Sequence, residues 1–383
     1  MATRRSFLQL AALLPACLFL THPSSEADQA NLLPIPRVGP GRLKLALNAY
    51  SFSKLLNDNA KGRANGFSLF HLIDFCAKYE VDGLDATGYF FPGYPNVPDD
   101  QYLFDFKRRA FNCGIGISGT GVRNNFTTAD KAVRDASVEH IKQWVEVASR
   151  LGAPVLRIFA DTQMKAQTWE TISNGAKRED VENWIADDVR RCAEHAQKFG
   201  IIIGVQNHGD FLKTSGDHLS LLKRINHTSC GIIVDTGYYK SPDPYEDMAA
   251  TAPYAVNWQI KESPIKAGSE IRTDLNRLLT IIRKAGYRGY IPIETLSSSA
   301  AVYDPFAVVP KFLAQVKEAM AATADVQSTR PDADLVIPLP NLGASPSATQ
   351  PTSQPSTRPT TNPTTRPAGR KPPNKKKTAV PKE

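Results

Sequence analysis

Two acids in this chain stand at the tips of apolar runs: Asp235 closes Gly231-Ile232-Ile233-Val234-Asp235, and Glu294 closes Tyr290-Ile291-Pro292-Ile293-Glu294. A carboxylate at the end of a buried strand needs a cation or strong hydrogen bonds to stay ionised. A third run, Ile201-Ile202-Ile203-Gly204-Val205, breaks off in Gln206-Asn207-His208, and a fourth ends in Gln259-Ile260-Lys261. Residues two apart on a strand share a face, so Gln206 goes with His208 and Gln259 with Lys261. Asp235 and Glu294 flanked by the amide oxygens of Gln206 and Gln259 would form an oxygen-rich cage, suited to Mn²⁺ or Mg²⁺ better than to a soft metal. The other reading is that each carboxylate caps a helix or pairs with Arg157 or Lys261. His208, Lys261 and Glu294 are the side chains able to move protons. Tyr50, Ser51, Asp85, Arg157 and Asp161 follow other apolar runs and complete a polar ring.

Such a ring needs a scaffold that brings many strand ends to one rim. Strand candidates are 43–48, 83–87, 114–119, 154–160, 201–206, 230–235, 256–261 and 289–294, eight in all. The β-branched runs suit parallel strands covered on both faces. Helical patterns lie between them, at 67–79, 101–111, 130–151, 178–199, 216–225, 273–285 and a short one near 244–251. In 130–151, Val133, Ser137, Ile141, Trp144, Val145 and Ala148 share one face. Gly114, Gly152, Gly200 and Gly286 follow helices where left-handed C-caps are expected. About 280 residues with eight alternating β/α units fit a single α/β domain, a (β/α)8 TIM barrel over 42–323, with its chemistry at the carboxyl ends of the strands.

On these residues the folded part resembles the xylose isomerase-like TIM-barrel superfamily, in particular its sugar phosphate isomerase/epimerase group. The resemblance rests on the opening strand Leu45-Ala46-Leu47-Asn48-Ala49-Tyr50-Ser51-Phe52, and on the order of Gln206-Asn207-His208, Asp235-Thr236, Gln259-Ile260-Lys261-Glu262 and Glu294 at strands five to eight. The group carries Glu-Asn-His, Asp-Thr, His-x-Lys-Asp and Glu there. The resemblance implies a divalent metal at Gln206, Asp235, Gln259 and Glu294, and a sugar substrate. It also implies proton exchange by the strand-five and strand-eight acids, whereas an amide at Gln206 cannot accept a proton. Two of four ligand positions are substituted, which removes a negative charge and an imidazole and disfavours zinc.

The ends differ from the middle. Residues 1–27 carry Arg4-Arg5 before an apolar run from Leu10 to Leu20, a twin-arginine signal pattern too short to span a bilayer. This points to export to the periplasm or cell exterior; Leu14-Pro15-Ala16-Cys17 is a poor lipobox, so a lipoprotein anchored at Cys17 is the lesser expectation. From 327 to 383 the chain turns to Pro, Thr and Ser, with nine basic residues against three acidic. With few large apolar side chains, that stretch is expected to form a disordered tail. It holds most of the formal +8 charge, so nucleic-acid binding by the folded part is not indicated. A cationic tail could adhere to anionic envelope polymers or simply remain solvated. Cys76, Cys113, Cys192 and Cys230 are scattered, without metal-cluster or disulfide spacing.

The expected activity is a metal-dependent isomerisation or epimerisation of a sugar or keto-sugar, with Glu294 as base, His208 and Lys261 as acid/base groups, and Tyr50, Asp85 and Arg157 binding substrate. A keto-glycoside lyase or hydrolase, and a sugar-binding protein without turnover, are the alternatives. The sequence specifies neither the sugar nor the oligomeric state.

Overall fold

A computed structural model describes residues 32–63, 66–161, 167–264, 271–296 and 303–330. The signal pattern and nearly all of the Pro/Thr/Ser-rich tail lie outside these residues. Eight parallel strands close in sequence order into one barrel: β1 Arg42–Asn48, β2 Gly83–Asp85, β3 Gly116–Gly121, β4 Val155–Phe159, β5 Ile202–Gln206, β6 Cys230–Asp235, β7 Ala255–Lys261 and β8 Arg288–Glu294. The helices are α1 Ser53–Ala60, α2 Leu69–Lys78, α3 Asp100–Asn112, α4 Lys131–Leu151, α5 Trp169–Ile172, α6 Arg178–Gln197, α7 Ser215–Ile225, α8 Pro244–Thr251, α9 Leu275–Lys284 and α10 Pro305–Ala322. Among the described residues no helix is long and apolar enough to cross a membrane.

All eight expected strands form. Gly114, Gly152, Gly200 and Gly286 all adopt positive φ, between 67° and 76°. The third strand starts two residues later than expected, because Gly114 is still turning the chain out of α3. The face expected for α4 is rotated at its start. Val133 is exposed and Arg134 is buried instead, since Arg134 reaches Asp188 at 3.0 Å and the carbonyl of Thr128 at 2.7 Å. Three helices, α1, α5 and α10, were not expected from periodicity.

Register sets the rim. Asp235 lies beside Gln259 across β6/β7, Lys261 beside Glu294 across β7/β8, and Asn48 beside Asp85 across β1/β2. The opposite end of the barrel is plugged by Tyr290. A Cβ at Gly83 or Gly116 would come within 2.6 or 2.1 Å of its ring or hydroxyl, so both positions require glycine. Cys76, Cys192 and Cys230 are buried thiols and Cys113 is half-buried.

The start of the basic tail is tied to the barrel. The Thr329 amide donates to the Lys284 carbonyl at 3.1 Å, and the Arg330 guanidinium donates to the Ile35 carbonyl at 3.1 Å. Truncation after Arg330 is therefore expected to leave the melting temperature unchanged. Truncation after Val326 removes these bonds, each worth about 1 kcal/mol, and is expected to lower it by a few degrees. Calorimetry of the two truncated chains checks this.

Candidate active site

The strand ends of β1, β2 and β4–β8 open into one cleft of about 1450 Å³. Glu294, Lys261, Gln206 and Gln259 line it, whereas Asp235 and Asp85 are buried and do not, and the partners of these acids differ from a simple cage. Lys261 Nζ lies 2.7 Å from Glu294 Oε1 and 3.1 Å from Asp235 Oδ2, with all three side chains almost fully buried. Burial alone would pull the lysine's pKa down, but the two carboxylates more than offset it and hold the ammonium above its ordinary value. Burial also pushes the Glu294 carboxyl up against the opposing pull of Lys261. Gln206 Nε2 donates to Asp235 Oδ2 at 2.5 Å. The amide must present its nitrogen there, because the flipped form would set two acceptors against each other. Asp235 Oδ1 accepts from the Gly237 amide at 2.9 Å.

Local sequence explains how this floor is held. Asn207 clamps the backbone of Asp235 from both sides, donating to its carbonyl at 2.9 Å and accepting from its amide at 2.7 Å. Gly237 leaves room for the lysine stem, since a Cβ there would lie 2.6 Å from Lys261 Cδ. The Lys261 backbone is fixed by Thr236 Oγ1 at 2.9 Å and Thr273 Oγ1 at 2.6 Å. Two oxygens in this cluster are buried without a hydrogen-bond partner: Glu294 Oε2 and Gln206 Oε1. Gln259 is buried in the cleft wall.

A second cluster stands on β2 and β4. Arg157 donates to the Tyr89 hydroxyl at 2.9 Å and lies over the Phe159 ring at 4.3 Å. Asp85 accepts from Asn257 at 3.3 Å. The glycines of β3 make this possible: a Cβ at Gly121 would lie 2.5 Å from Arg157 Nε, and one at Gly119 would lie 2.7 Å from Asp85 Oδ2. Asp85 Oδ1 and Arg157 Nε are buried without a hydrogen-bond partner. Burial pushes the Asp85 carboxyl up to about 6, with Arg157 opposing. Asn mimics the protonated acid. Because the folded-state pKa is raised, the protonated form is favoured by the fold and stability is lost as pH rises through about 6. Asp85→Asn is expected to be more stable than the parent by roughly 2–3 kcal/mol at pH 7 to 8, with the gap closing below about pH 4. Chemical denaturation across that range measures it.

The third group is His208, whose Nδ1 is 2.9 Å from Asp161 Oδ2. Its ring lies 4.2 Å from that of Tyr238 and 4.8 Å from that of Phe159. Gly209 at φ 70° permits the contact, because a Cβ there would collide with the Asp161 carboxylate. The Asp161 carboxylate thereby fixes the orientation of the imidazole. Tyr50 borders the cleft at the end of β1, and the Ser51 hydroxyl accepts from the Thr295 amide at 3.1 Å. The structure thus brings Tyr50, Asp85, Arg157, Gln206, His208, Asp235, Gln259, Lys261 and Glu294 to one end of the barrel. Sequence reasoning passed over Tyr89, Asn257 and Tyr238. Asn257 carries a usable signal, since it sits two residues before Gln259 and so shares its face.

The donor set does not match the divalent ion implied by the resemblance. Among the described residues no three His, Cys, Asp or Glu side chains converge as a metal centre. The space between Asp235 and Glu294 is taken by an ammonium, and Gln206 turns a donor toward Asp235. In this arrangement the residues do not fit a divalent ion.

Among solved structures, D-psicose 3-epimerase from Clostridium cellulolyticum H10 is similar with a TM-score of 0.58 and 14% identity, covering 74% of this chain and 99% of that one. The 3-keto-D-glucoside 4-epimerase of E. coli gives a TM-score of 0.57 at 12% identity, over 72% and 100%. A sugar phosphate isomerase/epimerase from Parabacteroides distasonis gives 0.53 at 18%, over 73% and 97%. No curated protein sequence matches. The family model described as "Xylose isomerase-like TIM barrel" matches residues 73–325, which span the barrel from α2 to α10. By that match this chain belongs to the xylose isomerase-like TIM-barrel family.

Proposed function

We propose that this protein is an exported enzyme that isomerises or epimerises an unphosphorylated sugar or keto-sugar by abstracting a proton beside a carbonyl. One observation carries the reading. At the floor of the cleft Glu294 has one oxygen held by the Lys261 ammonium and the other buried without a partner, so a base and an electrophile sit side by side. Glu294 Oε2 takes the proton as the C–H bond breaks, and the electron pair moves onto the carbonyl oxygen. An N–H of Lys261 stabilises the charge that develops there. For isomerisation Glu294 returns the proton to the former carbonyl carbon while the neighbouring hydroxyl passes its own proton to the first oxygen; for epimerisation His208 protonates the opposite face of the same carbon and Glu294 keeps the proton it took. Gln206 takes no proton, so the two-acid exchange implied by the resemblance is replaced by one carboxylate base and a His–Asp pair. Asp85, Arg157 and Tyr50 hold hydroxyl groups of the sugar. Epimerase neighbours of the same fold support the class of reaction, and the twin-arginine pattern supports a substrate found outside the cytoplasm, where sugar phosphates are scarce.

A second reading is favoured by the size of the cleft, which exceeds the roughly 300–1,000 Å³ typical of small-molecule sites. One base and one acid also suffice for elimination, so a keto-glycoside would be cleaved by the same groups. Metal dependence is a third reading. It is favoured by the bare oxygens Gln206 Oε1 and Glu294 Oε2 and requires Lys261 to leave its place between the carboxylates. Mature protein should be incubated with ketohexoses, their phosphates and 3-keto-glycosides, and the products resolved by chromatography. Interconversion of an unphosphorylated ketose is expected. Release of free aglycone would establish the lyase. Binding by thermal shift without any product would establish a sugar-binding protein.

A further inference from the structure

We propose that the Lys261 ammonium is the resident cation of this site: it takes the place a divalent ion would hold between Asp235 and Glu294, and the centre operates without such an ion. This inference concerns the floor of the cleft and holds whichever sugar is used.

The geometry places Nζ at 2.7 and 3.1 Å from one oxygen of each carboxylate. These are charge-assisted hydrogen bonds, and the bridging position they define is the one a cation shared by two acids occupies. Asp235 has little left to offer. Its Oδ1 accepts from Gly237, and its Oδ2 accepts from both Gln206 and Lys261. A ligating oxygen must direct its lone pairs at the metal. Gln206 compounds the problem, because the group it turns toward Asp235 is an N–H, whose positive end repels a cation.

Lys261 is also not a surface lysine that has fallen into a gap. Its stem passes over Gly237, where a Cβ would collide, and its backbone is bonded on both sides by threonine hydroxyls. Its ammonium lies 5.5 Å from the centre of the Tyr238 ring, which offers a further favourable contact for positive charge. Charge balance points the same way. Two carboxylates face one ammonium, and a divalent ion added beside Lys261 would set three positive charges against two negative in a buried site. The two amides at 206 and 259 fit this scheme. A site whose cation is singly charged and covalently attached does not need the additional carboxylate and imidazole that the resemblance assigns to those positions. The unpartnered Glu294 Oε2 and Gln206 Oε1 are then left for substrate hydroxyls and the transferred proton.

The experiment is manganese titration of chelator-treated full-length mature protein, read by calorimetry and by melting temperature, for the parent, Lys261→Met and Lys261→Gln. The parent is expected to bind no manganese and to melt at the same temperature with chelator or with the ion. Lys261→Met leaves the carboxylates facing each other. In chelator it is expected to melt roughly 5–10 °C lower, and in manganese to bind one ion per chain and regain most of that loss. Lys261→Gln keeps a donor on a shorter stem, serves should Lys261→Met fail to fold, and is expected to show the same gain of binding. One manganese per chain in the parent, with a rise in melting temperature, would overturn the proposal, because the ion would then displace Lys261. Folded variants that respond no more than the parent would overturn it as well, because the carboxylate pair would not be a cation site. Neither readout requires turnover, so failure here and failure to find a sugar substrate are separate results.

Discussion

Gln206→Glu is expected to lower the stability of the metal-free protein by roughly 3–5 kcal/mol at neutral pH. Gln206 gives Asp235 a hydrogen bond at 2.5 Å, and both side chains are almost fully buried. The substitution removes that donor and sets a second carboxylate against the first. Lys261, already shared with Glu294, cannot neutralise three acids. The pH dependence has a definite sign. Crowding raises the pKa of the new acid in the folded state above the ordinary value of about 4.3, so the penalty is full above the raised value. It disappears as pH falls below the ordinary one. Manganese should narrow the gap at neutral pH, because the third carboxylate supplies what the parent site lacks for a divalent ion. Thermal unfolding of parent and variant, with chelator and with manganese, measures both effects. Equal melting temperatures in chelator would show that Gln206 does not face Asp235.

Glu294→Gln is expected to cut turnover on the order of 10²–10⁴-fold, the usual contribution of a positioned general base, with little change in KM. The substitution keeps an acceptor for Lys261 in place of Glu294 Oε1, so the fold should persist while proton abstraction fails. Steady-state kinetics on the sugar identified by product screening separates this from loss of binding. A proportionate rise in KM with kcat intact would assign Glu294 to binding alone.

The positions of these groups were legible in the sequence, because an apolar β-branched run that ends in an acid is a strong pattern. Asp235, Glu294, Gln206 and Lys261 all lie at the rim where their strand ends place them. Their partners were less legible. Spacing of two tells which face a side chain takes, but not how far a lysine stem reaches across to a neighbouring strand. The bond between Lys261 and two acids depends on register and on the missing side chain of Gly237, neither of which periodicity reports. Gly119 closed the third strand candidate and Gly121 lay beyond it in sequence, whereas in the fold they are the space that Asp85 and Arg157 fill. The start of α4 was misjudged because a buried ion pair, Arg134 with Asp188, outweighs the apolar stripe there. The helix α10 carries an internal proline, Pro310, that disguises it in sequence; Asp304 caps its start and a buried apolar face holds it on the barrel.

Solvent exchange tests the central claim most directly. The protein is incubated in D₂O with the ketose that product screening identifies, and the sugar is followed by proton NMR. The account predicts that deuterium enters at the carbon beside the carbonyl in the parent, since the proton held by Glu294 exchanges with solvent, and that this entry is lost in Glu294→Gln. Product formation without any deuterium, or exchange that is undiminished in Glu294→Gln, would contradict it.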